Sequence, residues 1–332
     1  MQRLIWTILV SFIMATVLGP IVIPWLKRMK FGQTIYDLGP ESHKKKQGVP
    51  TMGGIIFFVA GLLATLIFTI KSGANFALLA MALLPMIGFG AIGFVDDFIK
   101  VKLKRSLGLT PKQKLIPKIV IAIALSVWAY LTPEVGSSLI VPFINWELNL
   151  GVFYIPFMVF VLVGTVNSAN LLDGLDGLCA GCSLFDFITM MLICLLTATT
   201  GGAMNVDQMN MAIYAAAMAG ALLGFLRFNS HPAGVFMGDV GSFTIGGALM
   251  GLMLVTRLSL LLPIIALAML MSSLSDLIQF AYFRATHGKR FFKMAPLHHH
   301  FELSGMPETR VVSMYYIVTV CLCLIALLGF VA

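Results

Sequence analysis

Phe76-Ala-Leu-Leu-Ala-Met-Ala-Leu-Leu-Pro85-Met-Ile-Gly-Phe-Gly-Ala-Ile-Gly-Phe-Val-Asp96-Asp97-Phe-Ile-Lys100 decides the fold. Residues 76–95 carry no charge, and two adjacent carboxylates then close the run. A helix needs about 20 apolar residues to cross a bilayer core, so this stretch reads as a membrane span with its charged end at a surface. Three more polar clusters sit where an apolar run stops or starts: Asn170-Leu-Leu-Asp173-Gly-Leu-Asp176-Gly177, Gly238-Asp239, and His298-His299-His300.

The whole chain extends the same pattern. It has 332 residues, of which 59% are hydrophobic and 11% charged. An ordinary soluble domain carries about 25% charged residues, so that class is excluded. Ten candidate spans start near residues 4, 52, 75, 115, 154, 178, 211, 242, 260 and 310, joined by short connections. The expected fold is an all-α polytopic membrane protein, a ten-helix bundle forming one integral domain over residues 1–332. Pro20, Pro24 and Pro85 interrupt the first and third spans, which packed neighbours can tolerate. The first run, followed by Lys27, Arg28 and Lys30, reads as an uncleaved anchor rather than a signal peptide.

Lys and Arg in short loops stay cytoplasmic, and this fixes an expected orientation. Of 22 Lys and Arg, Arg3, Lys71 and Arg257 fall on the side of the N-terminus, leaving 22 − 3 = 19 opposite. Both termini are therefore expected outside, with loops at about 27–51, 96–114, 167–177, 227–241 and 284–309 in the cytoplasm. This orientation, drawn without reference to the polar clusters, puts all of them on one face. On the other face, the 132–153 connection alternates enough to suggest a small β-hairpin, with Trp146 as an alternative interfacial anchor. The net charge of +8 is explained largely by topology, with attraction to anionic lipid or phosphate as a second reading. No nucleic-acid partner is expected. Cys179 and Cys182 form a lone Cys-x-x-Cys and read as small apolar filler.

A single carboxylate at a helix end is as readily solvated as functional. Gathered together, Asp96, Asp97, Asp173, Asp176 and Asp239 repel one another unless a cation compensates. Mg2+ takes hard oxygen ligands and is commonly held by one or two carboxylates plus substrate phosphates, so the pattern points to diphosphate chemistry. Lys100, Lys102, Lys104, Arg105, Lys112 and Lys114 follow as matching positive charge; many are ordinary cytoplasmic anchors, but Lys100 is one turn beyond Asp96 and can share its face. The run from Asn170 lacks the downstream Glu of a calcium loop. Asp239 opens a span, where a carboxylate also favours a helix N-terminus, and Phe236 is placed to stack on a base. Three consecutive His cannot all face one metal from a helix, so phosphate contact, base contact or proton transfer suits them better than zinc. Asp186 and Asp276 lie inside apolar runs, where an acid is functional by default.

With these residues assembled, the chain resembles the phospho-N-acetylmuramoyl-pentapeptide transferases of the polyprenyl-phosphate N-acetylhexosamine-1-phosphate transferase superfamily. The resemblance runs over essentially the whole chain. It is carried by Asp37-Leu-Gly-Pro-Glu-Ser-His43 with Pro50-Thr-Met-Gly-Gly54, Asp96-Asp97-x-x-Lys100, Asn170 to Gly177, Phe236 to Ser242, and Met294-Ala-Pro-Leu-His-His-His-Phe-Glu302. One departure is Val49, which stands where the family pattern has Thr before Pro50.

The resemblance implies transfer of phospho-MurNAc-pentapeptide from UDP-MurNAc-pentapeptide to undecaprenyl phosphate, giving lipid I and UMP, with Mg2+ as cofactor. It also implies a ten-span homodimer in the bacterial cytoplasmic membrane, with the active site on the cytoplasmic face. Carried over by motif, Asp239 is the metal ligand with Asp96 and Asp97 beside it, and Asp96 is the base for the lipid phosphate, with direct attack and passage through a phosphorylated Asp96 both open. Asn170, Asp173, Gly174, Leu175, Asp176, Asn229, Phe236, Gln279 and His299 line the nucleotide pocket, with Gln279 on the polar edge of uracil. Lys46, Thr51, Lys100, Lys114 and His298 contact sugar, phosphates or neighbouring groups, with Lys112 as the alternative to Lys114, and His300 joins the substrate-binding set. Two other functions compete: a polyprenyl-phosphate GlcNAc-1-phosphate transferase, which shares the aspartates but lacks the His-triplet segment, and a transporter using Asp186 and Asp276.

Overall fold

The computed structural model describes residues 1–29, 48–70, 73, 75–103, 108–144, 146–200 and 204–331. Twelve helices follow in chain order among them. They are α1 (Gln2–Arg28), α2 (Gly54–Thr69), α3 (Phe76–Lys102), α4 (Pro111–Leu131), α5 (Tyr154–Leu172), α6 (Leu178–Thr199), α7 (Val206–Asn229), α8 (Gly238–Thr256), α9 (Leu262–Ile265), α10 (Leu267–Ala285), α11 (Leu297–Leu303) and α12 (Glu308–Val331). Eight helical segments are long and apolar enough to cross a membrane, or nine if the Ser259–Ile265 and Leu267–Ala285 pair, bent by 84°, makes one span. The expected span near residue 52 becomes α2, which has only 16 residues, about 24 Å at 1.5 Å per residue. The expected interruptions at Pro20, Pro24 and Pro85 do not break α1 or α3, which run through them.

The bundle is built around α8, every residue of which is buried. Small residues let its neighbours come close. A Cβ on Gly247 or Gly251 would collide with the backbone of Pro85 or Ala82 on α3, and one on Gly246 with Val166 on α5. Across α7, Gly220 and Gly224 receive the backbone of α1 at Ile8 and Phe12 in the same way. The outer helices keep apolar faces exposed, as with Ile13, Val17 and Ile21 on α1, Ile116, Val120 and Ile123 on α4, and Ile317, Leu324 and Leu328 on α12. Side chains of that kind on a helix rim are suited to lipid, where backbone groups are already satisfied within each helix.

The two ends of α8 differ. At its C-terminal end, strands β1 (Ser138–Val141) and β2 (Trp146–Asn149) form the expected antiparallel hairpin, with Ser138 opposite Asn149 and Val141 opposite Trp146. Ile140 N–H donates to Arg257 O at 2.9 Å and Arg257 Nη2 reaches Glu147 Oε1 at 3.1 Å, which docks the hairpin on the turn after α8. At its N-terminal end stands Asp239, and there the polar clusters converge.

Candidate active site

Four helix ends meet around Asp239. α3 brings Asp96, Asp97 and Lys100 from its last two turns, α4 brings Lys114 from its first, α5 brings Asn170, and α8 begins with Gly238-Asp239. Carboxylate oxygens of Asp96, Asp97 and Asp239 lie within 4.8 Å of one another. This closeness depends on glycine, because a Cβ at Gly93 would strike the Asp239 carbonyl, and one at Gly238, whose φ is +72°, would strike Asp97 Oδ2.

Two ammonium groups occupy the space between the acids. Lys100 Nζ is 2.6 Å from Asp96 Oδ2, 3.2 Å from Asp97 Oδ1 and 3.1 Å from Asp239 Oδ2. Lys114 Nζ is 2.8 Å from Asp96 Oδ2 and 3.0 Å from Asp239 Oδ2. Of the two lysines left open by the sequence, Lys114 thus faces the carboxylates, while Lys112 is exposed. α4 is aimed by a capping box, in which Thr110 Oγ1 accepts from Gln113 N–H and Gln113 Oε1 from Thr110 N–H.

The remaining oxygens are held by fixed donors. Leu109 N–H donates to Asp96 Oδ1 at 2.7 Å, and Val240 N–H to Asp97 Oδ2 at 3.1 Å. Asn170 Nδ2 donates to Asp239 Oδ1 and to Ser242 Oγ, both at 2.9 Å. Asp96 is fully buried, and its two oxygens are taken up by two ammoniums and a backbone N–H. As a donor set, three convergent hard oxygens suit Mg2+ and are a poor match for a thiophilic or imidazole-preferring metal.

The Asn170 to Gly177 run covers the end of one helix and the turn that follows it. α5 ends at Leu172, and the chain then turns before α6. Asp173 lies in that turn, where burial and the negative charges of Asp239, Asp97 and Asp176 push its carboxyl well above the usual carboxylate range, against the opposing pull of Lys100. Asp176 is held elsewhere: its Oδ2 faces His231 Nδ1 at 3.0 Å and accepts Ala233 N–H at 3.1 Å, and its N–H donates to Glu308 Oε1 at 2.8 Å. Leu175 beside it is buried. His231, at 3.5 Å from Glu308 Oε2, completes a brace between the α5–α6 turn, the α7–α8 loop and the start of α12.

The His triplet divides among three environments. His298 is buried, and its Nε2 lies so close to Gly174 that any Cβ there would collide with it. His299 Nδ1 pairs with Glu302 Oε2 at 2.8 Å, and His300 Nδ1 accepts Lys293 N–H at 3.1 Å. Short helix α11 therefore seats two His beside the Asp173-Gly174 turn and directs the third to its own loop.

Other expected site residues are placed as follows. Phe236 is half-buried, its N–H donating to Pro50 O and its carbonyl accepting Gly53 N–H, both at 2.8 Å, which stitches the segment carrying Thr51 to the entrance of α8. Thr51 is buried, and its hydroxyl has no hydrogen-bond partner among the described residues. Asn229 Nδ2 holds Val235 O at 3.0 Å, and its buried Oδ1 is without a partner among the described residues. Gln279 differs from expectation, for its Oε1 accepts the N–H groups of Phe291 and Phe292 and its Nε2 donates to Phe292 O. Its amide is spent on loop backbone rather than presented to a base edge. Lys46 and the 37–43 motif lie outside the described residues.

Comparison with known proteins settles the family. The family model described as glycosyl transferase family 4 matches residues 78–257, which runs from the first turn of α3 through α8 and so holds all three clustered aspartates. A phospho-N-acetylmuramoyl-pentapeptide-transferase of Clostridioides difficile (strain 630) is 46% identical, covering 98% of this chain and 98% of the relative. Another from Thermoanaerobacter sp. (strain X514) is 47% identical over 96% of each chain, and one from Clostridium novyi (strain NT) 42% identical over 99% of this chain and 97% of its own. The chain belongs to the phospho-N-acetylmuramoyl-pentapeptide-transferase family.

Within this member of the transferase family, several groups at the site escaped the sequence. Lys118 and Asn167 sit inside apolar runs, yet Lys118 is four residues after Lys114 and Asn167 three before Asn170, the spacing that keeps side chains on one helical face. His231 and Glu308 carried no motif, although an acid in the first turn of the last span was visible.

Proposed function

We propose that the chain transfers phospho-MurNAc-pentapeptide from UDP-MurNAc-pentapeptide to undecaprenyl phosphate, forming lipid I and releasing UMP. The observation that carries this is the convergence of Asp96, Asp97 and Asp239 with Lys100 and Lys114 at one end of the bundle. An oxygen of the lipid phosphate attacks the β-phosphorus of the donor, the bond from that phosphorus to the oxygen bridging it to the α-phosphorus breaks, and UMP leaves with that oxygen. A phosphate monoester has its second pKa near 6 and is mostly dianionic at neutral pH, so the acceptor needs little help from a base. Asp96 is assigned to holding Lys100 and Lys114 in place, beside its part in the metal set. These two lysines offset the charge of two anionic reactants, the main electrostatic difficulty of the step.

We assign Asp239, Asp97 and Asp96 as the residues that hold Mg2+. When bound there, the ion adds Lewis-acid neutralisation of the phosphate oxygens. Asn170 orients Asp239 through the hydrogen bond to its Oδ1. Asp173, Gly174, Leu175, Asp176, Asn229, Phe236, His298 and His299 are proposed to border the nucleotide. Glu308 and His231 would hold Asp176, and Gln279 would act by fixing the 291–292 backbone.

The same reading takes α2 and the bent α9–α10 unit as membrane spans, which brings the total to ten. It places both termini outside, the aspartate cluster at the cytoplasmic face of a bacterial plasma membrane, and two copies in a homodimer. Purified protein with Mg2+ and undecaprenyl phosphate should release UMP from UDP-MurNAc-pentapeptide and not from UDP-GlcNAc. The opposite preference would identify a GlcNAc-1-phosphate transferase, and solute flux without UMP release a transporter.

A further inference from the structure

Lys118 is a buried cation that the proposed chemistry does not use. Its side chain lies on α4 one turn beyond Lys114, is 2% exposed, donates to Asn167 Oδ1 at 2.7 Å and holds its ammonium 3.6 Å from the centre of the Phe243 ring. Both partners repeat the offset. Asn167 lies on α5 three residues before Asn170, and Phe243 lies on α8 four residues after Asp239. Lys118, Asn167 and Phe243 thus form a second layer directly beneath Lys114, Asn170 and Asp239, deeper by about one helical turn, or roughly 5 Å.

A buried ammonium is costly unless its charge is compensated, and a neutral amide with a ring face compensates only part of it. The nearest excess of negative charge is the layer above. There, three carboxylates face two ammoniums, Lys100 and Lys114, for a formal balance of −1. Lys118 brings the two layers together to zero. A divalent cation raises this to +2, and a nucleoside diphosphate carrying about two charges along its bridge returns it to neutral.

We infer that Lys118 is a positioning residue that sets the charge balance of the aspartate cluster, favouring the anionic diphosphate donor at the expense of the divalent cation. The inference rests on the proposed role of the cluster. It gives a signature that a packing role does not: removing the charge moves the two affinities in opposite directions. The Lys118 ammonium attracts a diphosphate and repels a cation, and charges at such separations interact strongly in a poorly hydrated site.

The test is made on full-length protein in detergent, with no turnover required. Mn2+ binding is followed by the electron paramagnetic resonance signal of free Mn2+, and UDP binding by calorimetry. In Lys118→Met, whose side chain keeps a similar length and apolar stem, the Mn2+ dissociation constant should fall and the UDP constant should rise, each by about threefold or more. Lys118→Gln, which retains a donor for Asn167, should do the same, and Lys118→Arg should leave both near wild type. Thermal unfolding of Lys118→Met should not drop, since replacing a buried charge by an apolar side chain is often neutral or stabilising. Weakening of both ligands together, unchanged constants, or no Mn2+ binding by the wild type would overturn the inference. Failure of the wild type to release UMP from UDP-MurNAc-pentapeptide would instead sink the proposed function, and the opposed shifts in Mn2+ and UDP would still be readable.

Discussion

Lys114 Nζ lies 3.0 Å from Asp239 Oδ2, although 125 residues separate the two in sequence. The contact joins the first turn of α4 to the first turn of α8, and the same ammonium also reaches Asp96 on α3. One lysine therefore ties together three helices at the point where the carboxylates converge. Replacing it by Met should leave a folded protein whose UMP release is slower by about 100-fold, the loss typical when one donor to developing negative charge is removed. Lys112→Met, on the exposed side of the same turn, should retain most activity in the same assay.

Asn170 is the orienting partner of Asp239. Asn170→Ala removes the hydrogen bonds to Asp239 Oδ1 and Ser242 Oγ without removing any carboxylate. Outer groups that orient ligands are generally worth 10–100-fold, so the Mg2+ concentration for half-maximal UMP release should rise by about tenfold or more. An unchanged Mg2+ requirement would take Asn170 out of that role.

The seam between α3 and α8 depends on small residues. Gly251→Ala would push a methyl group into the Ala82 backbone. Overpacking of this kind costs about 1–3 kcal/mol, so thermal unfolding in detergent should occur at a lower temperature, whereas Gly164→Ala, which meets nothing within 4 Å, should be close to neutral.

Asp173 supplies a pH dependence. Its carboxyl titrates well above the usual range in the folded state, because burial and then the neighbouring acids disfavour its charge. A raised folded-state pKa means that the proton favours folding. The contribution is full below the unfolded value of about 4 and is lost as pH rises through the folded value. Asp173→Asn should therefore unfold at a higher temperature than wild type at neutral pH, and the gap should close as the solution is acidified toward pH 4. A gap independent of pH would contradict the sign of this shift.

Much of this arrangement was legible in the sequence because membrane spans and basic loops obey strong, local rules. Residues 76–95 formed the helix their composition required, and the alternation in 132–153 formed a hairpin. The charge asymmetry also gathered Asp96, Asp97, Asp239 and Asn170 correctly, since helices of one bundle end on common faces. What composition does not encode is how each side chain spends its hydrogen bonds. Gln279 looked available to a ligand but holds Phe291 and Phe292, and the contact of Asp96 with both Lys100 and Lys114 could not be read from spacing. Lys118 was hidden because its apolar neighbours mask a single charge, and only packing brings Asn167 and Phe243 to it. The bend of 84° between α9 and α10 likewise carries no sequence mark beyond Pro263 in the first turn of α9.

Magnesium-dependent phosphoryl transfer at the Asp96–Asp97–Asp239 cluster, as proposed, requires both the ion and the Asp239 carboxylate. It is tested most directly by measuring UMP release from UDP-MurNAc-pentapeptide and undecaprenyl phosphate, for wild type and Asp239→Asn side by side, with Mg2+ and after chelation. Turnover is expected only from the wild type with Mg2+, with Asp239→Asn folded but inactive. Turnover that survives either chelation or the loss of the Asp239 carboxylate would contradict it.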